Sequence, residues 1–179
     1  LVQGRNDVDV LLTDEAGKTT RKVFNFVSNP KYDIVVDSAF AGTDGDVVDG
    51  YATYKTVQAA VKSVSDDNAE SKVIFIKNGE YNERVTVEVP NVSLLGEDAE
   101  KTHIYYSAAL ADKTATDMWT RNAMYVGSDA DGFTAENLTV ENSFAYTNGS
   151  DQQADALCIV ADKTACVNVR LVGYQDTLL

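Results

Sequence analysis

The chain has 179 residues, with 28 acidic and 15 basic side chains and a formal net charge of -13. At 44% hydrophobic residues and two prolines it reads as one folded domain with a real core rather than a disordered chain. Its negative surface repels phosphate backbones, which excludes nucleic acid as a partner, and no apolar run approaches the roughly 20 residues of a membrane-spanning helix. No signal-peptide pattern appears within these residues and the sequence opens on Leu1 rather than Met, so the chain is expected to be a processed or excised piece of something longer.

From the start, Val8, Val10 and Leu12 alternate up to the turn Asp14–Lys18, and Val23, Phe24 and Phe26 follow it. That pattern predicts a β-hairpin within residues 1–34, either the tail of a preceding module or a strand pair on the main domain at 35–179. Residues Ala41–Gly50 are turn-rich and acidic and read as a solvated loop, since their aspartate spacing lacks the glutamate a calcium loop requires. In the stretch from Thr53 to Val64, the residues Val57, Ala60, Val61 and Val64 fall on one helical face, and Thr53 or Thr56 can cap its start. Val73–Ile76 then reads as a short apolar strand buried on both faces.

Three later segments look alike: Asn91–Gly96, Asn137–Asn142 and Asn168–Gly173, each running Asn, apolar, polar, apolar, any residue, then Gly or Asn. Units that each offer one apolar stripe are stable when stacked, and loops of unequal length explain their unequal spacing. The pattern favours an all-β solenoid, a parallel β-helix with the short helix covering its open end, and leaves a β-sandwich as the alternative.

The usual hydrolase signatures are missing. No Gly-x-Ser-x-Gly elbow is present, and the single histidine, His103, stands in a strand-like stretch where it points outward or bonds a turn. Cys158 and Cys166 lack metal-ligand spacing and read as two buried small apolar side chains, and no metal or other cofactor is implied. Any hydrolysis must therefore run on carboxylates and amides. Gln153 and Gln175 are 22 residues apart, about one coil of a β-helix, and Asp176 follows the second. Two amides converging on one point make an oxyanion hole, and a neighbouring carboxyl group can protonate a leaving group. Set against this, Gln and Asp at strand ends are usually solvated or turn-forming.

Taken in order, five segments change that balance: TVQAAV (Thr56–Val61), IKNGEYNERV (Ile76–Val85), GFTAENLTVEN (Gly132–Asn142), QADAL (Gln153–Leu157) and GYQDTL (Gly173–Leu178). With them, Tyr51–Leu179 resembles the amino-terminal half of the pectin methylesterase family, whose fold is a right-handed parallel β-helix. The resemblance implies a secreted carboxylic ester hydrolase that releases methanol from the galacturonate methyl esters of pectin. It implies that Gln153 and Gln175 stabilise the anionic tetrahedral intermediate, that Asp176 is the general acid and then base, and that Gln153 and Thr120 contact substrate. The family's attacking aspartate and its substrate-binding arginine correspond to positions beyond Leu179, so this polypeptide alone is expected to be inactive. Its last coil is expected to leave the fold marginally stable or to associate with another chain. Asp155 stands where the family commonly has Val, and it faces either outward or into the cleft, where a carboxylate would disfavour acidic sugars. The alternative is a non-catalytic β-solenoid that binds polysaccharide. A pectate lyase on the same fold would carry a different motif set, built around calcium carboxylates. Of three Asn-x-Ser/Thr sequons, at Asn91, Asn137 and Asn148, only Asn148 lies outside the repeat strands and suits a glycan.

Overall fold

The computed structural model describes residues 4–28, 31–110, 115–144 and 153–179, so Asn148 lies outside it. The chain divides into two compact units, Leu1–Lys31 and Tyr32–Leu179. In the first, β1 (Gly4–Thr13) and β2 (Thr19–Ser28) form an antiparallel pair with Val8 opposite Phe24 and Leu12 opposite Thr20. The turn between them is built by Asp14, whose carboxylate accepts the N–H groups of Ala16 at 3.0 Å and Lys18 at 2.8 Å. Gly17, at φ +80°, closes it.

The second unit opens with β3 (Ile34–Val36), β4 (Asp46–Val48) and β5 (Tyr51–Tyr54). β3 pairs in parallel with β5, and β4 lies antiparallel to β5. Of the two candidate caps, Thr56 rather than Thr53 starts the helix, and the loop expected over Ala41–Gly50 contains a strand. Two aspartates explain the difference. Asp44 accepts the N–H of Lys55 and Asp46 that of Thr43, each at 2.8 Å, which folds the acidic segment back beside residues 51–54. Helix α1 (Val57–Lys62) begins after Thr56, which is extended and accepts the N–H of Ala59. Its first two free donors, Val57 N–H and Gln58 N–H, go to the two carboxylate oxygens of Glu83, each at 2.8 Å. Val57, Ala60 and Val61 are buried.

Coils follow. The first is β6 (Lys72–Ile76), β7 (Gly79–Asn82) and β8 (Val85–Val87); the second is β9 (Val92–Gly96), β10 (Thr102–Tyr106) and β11 (Asn122–Val126). The third is β12 (Thr134–Glu136), β13 (Thr139–Asn142) and β14 (Asp155–Ile159), and β15 (Ala165–Val167) and β16 (Arg170–Val172) begin a fourth. Corresponding strands of successive coils pair in parallel, giving sheets in the order β15-β12-β9-β6-β3-β5-β4, β16-β13-β10-β7 and β14-β11-β8. This is a parallel β-helix. Register turns one sequence position per coil into an inward column: Ile74, Leu94 and Ala135 in the first sheet, Tyr81, Ile104 and Val140 in the second, Val85, Met124 and Leu157 in the third. All nine are buried, and each large apolar member contributes about 1.5–3 kcal/mol.

β6 departs from the expectation of burial on both faces. Ile74 and Ile76 point inward, whereas Phe75 points out and stacks on Tyr32 with ring centroids 4.8 Å apart. The threefold repeat is really twofold. Asn137 and Asn168 both take left-handed backbone (φ 53° and 52°) between the first and second sheets, and Asn168 Nδ2 donates to Asn137 Oδ1 at 2.8 Å. Asn91 has φ 58° but sits in a different corner, between β8 and β9. Gly96 matters for another reason: a Cβ there would lie 2.0 Å from the carbonyl oxygen of Asn137 on the next coil. Of the two cysteines, Cys158 is buried as expected but Cys166 is exposed, because β15 lies on the outermost rung of its sheet.

The IKNGEYNERV segment is structural. Tyr81 is buried and donates its hydroxyl to the Lys77 carbonyl at 2.8 Å, and burial pushes its phenol up to about 12. A Cβ on Gly79 would press to 2.6 Å on the Ser38 hydroxyl. Glu83 is the helix cap already described. Burial raises its carboxyl, and the two N–H bonds from α1 only partly oppose that.

Candidate active site

At the rim of the third sheet, Asn122 of β11 pairs with Asp155 of β14, and the residues preceding each strand lie side by side. Asp155 N–H donates to the Arg121 carbonyl at 2.9 Å, and Ala154 N–H to the Gln175 carbonyl at 3.3 Å. Ala156 N–H donates to the Thr177 carbonyl at 3.0 Å, and a bridge joins Leu157 to Leu178. The segment Gln153–Ala156 thus has Arg121 on one flank and Gln175–Thr177 on the other. Gly173 permits the return of the chain, since a Cβ there would come within 3.2 Å of Thr177 Oγ1 and 3.5 Å of the Ala154 carbonyl.

Arg121 organises the site. Its side chain is 6% exposed, and its guanidinium donates in three directions. Nε reaches Asp155 Oδ2 at 3.2 Å, Nη1 reaches Gln153 Oε1, and Nη2 reaches Asp176 Oδ2 at 3.3 Å. Asp155 is fully buried and faces inward onto this cation, so it lies neither on the outer surface nor open to the cleft. Burial raises its carboxyl, the Arg121 guanidinium lowers it, and the Asp176 charge raises it, with burial dominant. One of its oxygens, Oδ1, has no hydrogen-bond partner among the described residues. Asp176 is different. Its side chain is 34% exposed and its backbone is left-handed at φ 55°, a conformation that Asp tolerates and that active sites accumulate.

Two buried asparagines hold this arrangement. Asn122 donates Nδ2 to the Trp119 carbonyl and accepts from Arg84 Nη2, both at 2.8 Å, while the same Arg84 nitrogen also reaches the Trp119 carbonyl. Asn142 Nδ2 is shared among the carbonyls of Ala108 at 2.9 Å, Asp155 at 3.0 Å and Arg121 at 3.1 Å. Its amide therefore ties the backbones that carry the Arg121–Asp155 pair.

Of the residues expected at the site, Gln153 and Asp176 meet on one guanidinium, and Gln175 lies beside them on the adjoining coil. Thr120 immediately precedes Arg121, but its hydroxyl is engaged in its own turn. It accepts the N–H groups of Thr116 at 2.9 Å and Asp117 at 3.1 Å, and lies 3.0 Å from Asp117 Oδ1. Next to it, Trp119 is exposed and meets Tyr125 edge-on, with centroids 6.5 Å apart. His103 stands on the second sheet between Glu80 (2.8 Å) and Glu141 (3.0 Å), away from these groups. No cluster of metal-ligating residues occurs among the described residues. Arg121 and Asn142 were not recognisable as site residues from the sequence. The available signal was a pair of opposite charges 34 residues apart, close to one coil, at matching positions before and on paired strands.

An amide held by its oxygen has its N–H2 group free to donate, and a part-exposed carboxyl beside it can exchange protons with a bound group. Together these suit a reaction in which an oxyanion develops and a leaving group takes a proton.

The family model described as Pectinesterase matches residues 46–179. A pectinesterase of Petunia integrifolia is 33% identical over 171 residues, which cover 94% of this chain and 41% of that protein. A crystal structure of a pectin methylesterase mutant in complex with a hexasaccharide superposes with a TM-score of 0.69 at 31% identity, covering 83% of this chain and 45% of that one. The pectin methylesterase from Erwinia chrysanthemi gives 0.68 at 30% identity, covering 83% and 45% respectively. The chain thus spans less than half the length of these relatives.

Proposed function

The chain belongs to the pectinesterase family, and from that membership we propose that the whole protein hydrolyses galacturonate methyl esters of pectin, releasing methanol. In this reading a carboxylate attacks the ester carbonyl, the carbonyl oxygen takes up negative charge, and Gln153 and Gln175 donate to it. Asp176 gives its proton to the departing methoxide, which leaves as methanol, and an acyl-enzyme remains. Asp176 then takes a proton from water, whose oxygen attacks the acyl carbon and frees the galacturonate carboxylate and the attacking group. By resemblance that group falls about one coil beyond Gly173–Leu178, outside residues 1–179.

The observation that supports the reading best is the meeting of Gln153 and Asp176 on the Arg121 guanidinium, with Gln175 on the adjoining coil. Because pectin is a wall polysaccharide, we place the protein outside the cell. No helix among the described residues is long and apolar enough to cross a membrane.

The test is methanol release from methylated pectin by the whole protein and by its Asp176→Ala and Gln175→Ala variants. Removing an oxyanion donor is expected to lower kcat by roughly 10²–10³-fold, and Asp176→Ala by at least as much. Release of methanol that neither substitution slows by tenfold would overturn these roles. Binding of methylated oligogalacturonate without any methanol release would replace the enzyme with a polysaccharide-binding solenoid.

A further inference from the structure

Arg121 and Asp155 have no part in the proton and acyl transfers just described, yet they form the most buried charged pair among the described residues. Burial of two charges is costly, and an apolar pair of similar volume would fill the same space at no loss of stability. Stability alone therefore does not account for the pair. Its geometry suggests another use.

A glutamine amide can rotate half a turn about its last bond, exchanging the positions of its oxygen and its N–H2 group. Only one of these orientations helps an oxyanion, because the other turns a carbonyl oxygen toward developing negative charge. Arg121 Nη1 donates to Gln153 Oε1 and so selects the first. On its other arm, Nη2 holds Asp176 Oδ2 at 3.3 Å and leaves Oδ1 for proton exchange. A guanidinium is a rigid plane, so fixing its third nitrogen fixes both arms. That is the role of Asp155, whose Oδ2 receives Nε at 3.2 Å from a site with 0% exposure. Asn142 steadies both backbones.

We propose that Arg121, anchored by the buried carboxylate of Asp155, is a positioning residue that sets the orientation of the Gln153 amide and of the Asp176 carboxyl. The proposal rests on the roles assigned above to Gln153 and Asp176. At 6% side-chain exposure Arg121 acts through these two residues rather than on substrate.

The experiment compares Arg121→Met, Asp155→Val and the double variant with the unaltered whole protein. Each single substitution strands a buried charge and is expected to lower the urea midpoint, whereas the double variant restores it. The double variant should nonetheless retain a kcat lower by roughly 10²-fold, since misplaced groups cost about that much, with KM changed little. A double variant that regains kcat along with its urea midpoint would show the pair to be purely structural and overturn the proposal. The second readout needs no turnover: the Gln153 side-chain amide resonances in an NMR spectrum of the same proteins. They are expected well dispersed in the unaltered protein and collapsed toward freely rotating values in the double variant. If the unaltered protein releases no methanol, the esterase reading fails, and unchanged Gln153 resonances would then sink the positioning role separately.

Discussion

Substituting Glu83 by alanine removes the carboxylate that receives the first two N–H groups of α1, each at 2.8 Å. A six-residue helix has no independent stability, so it depends on its cap and on packing of Val57, Ala60 and Val61. Leaving two part-buried donors unsatisfied costs up to about 1–3 kcal/mol each, less whatever water recovers at the opened site. We expect a loss of about 2–3 kcal/mol, which for a unit of this size lowers the melting temperature by roughly 4–12 °C. Glu83→Gln keeps one acceptor but turns an N–H2 toward the second donor, and should cost about half as much. The pH dependence has a definite sign. Burial holds the folded carboxyl above its ordinary value of 4.5, so its titration contributes stability that is present at low pH and lost as pH rises through the raised value. The stability gap between the unaltered chain and Glu83→Gln should therefore narrow as pH rises from the acid range toward neutrality. Urea unfolding followed by circular dichroism at several pH values measures both effects. A cost for Glu83→Ala below about 0.5 kcal/mol, or a gap that widens with pH, would refute the assignment of Glu83 as a buried cap.

Two further substitutions test the stacking. Gly96→Ala drives a methyl group to 2.0 Å from the Asn137 carbonyl, and neither backbone can yield without breaking its rung. We expect a loss of about 3 kcal/mol or more, read as a collapse of the thermal transition. Asn142→Ala removes the amide shared by the carbonyls of Ala108, Arg121 and Asp155. It should cost about 2–4 kcal/mol by urea unfolding, and a loss under about 1 kcal/mol would mean that water replaces the amide.

Much of the fold could be read from residue order because a β-helix converts position along the chain into position in space. The hairpin around Asp14–Lys18 was visible from alternation, and the α1 face from the spacing of Val57, Ala60 and Val61. The Asn137 and Asn168 turns were visible as a repeat. Asn91 imitated them because a left-handed corner asks for the same residue wherever it occurs, and sequence alone does not say which corner. β4 escaped notice because its valines, Val47 and Val48, are exposed, so no apolar pattern marks it. At the candidate site, the coil-length separation of Gln153 and Gln175 foretold their neighbouring segments. Arg121 gave no such sign. Its partners Gln153, Asp155 and Asp176 lie 32, 34 and 55 residues away, and only the stacking of three coils brings them within reach of one side chain. Asp155 was ambiguous for a related reason: an acidic residue within an apolar strand reads as facing outward or into the cleft until its buried counter-charge is seen.

The bond between Asn168 and Asn137 gives the solenoid an orientation that its apolar columns lack. Stacked leucines and valines look the same from above and below, but a side-chain amide that gives a hydrogen from the later coil and receives it on the earlier one does not. The two side-chain amides lie donor to acceptor across this one rung, so the bond has a direction along the stack. The same rung is sensitive to slow chemical ageing. Conversion of Asn168 to aspartate would set a charged acceptor against the Asn137 oxygen, turning attraction between coils into repulsion without altering the shape of the side chain.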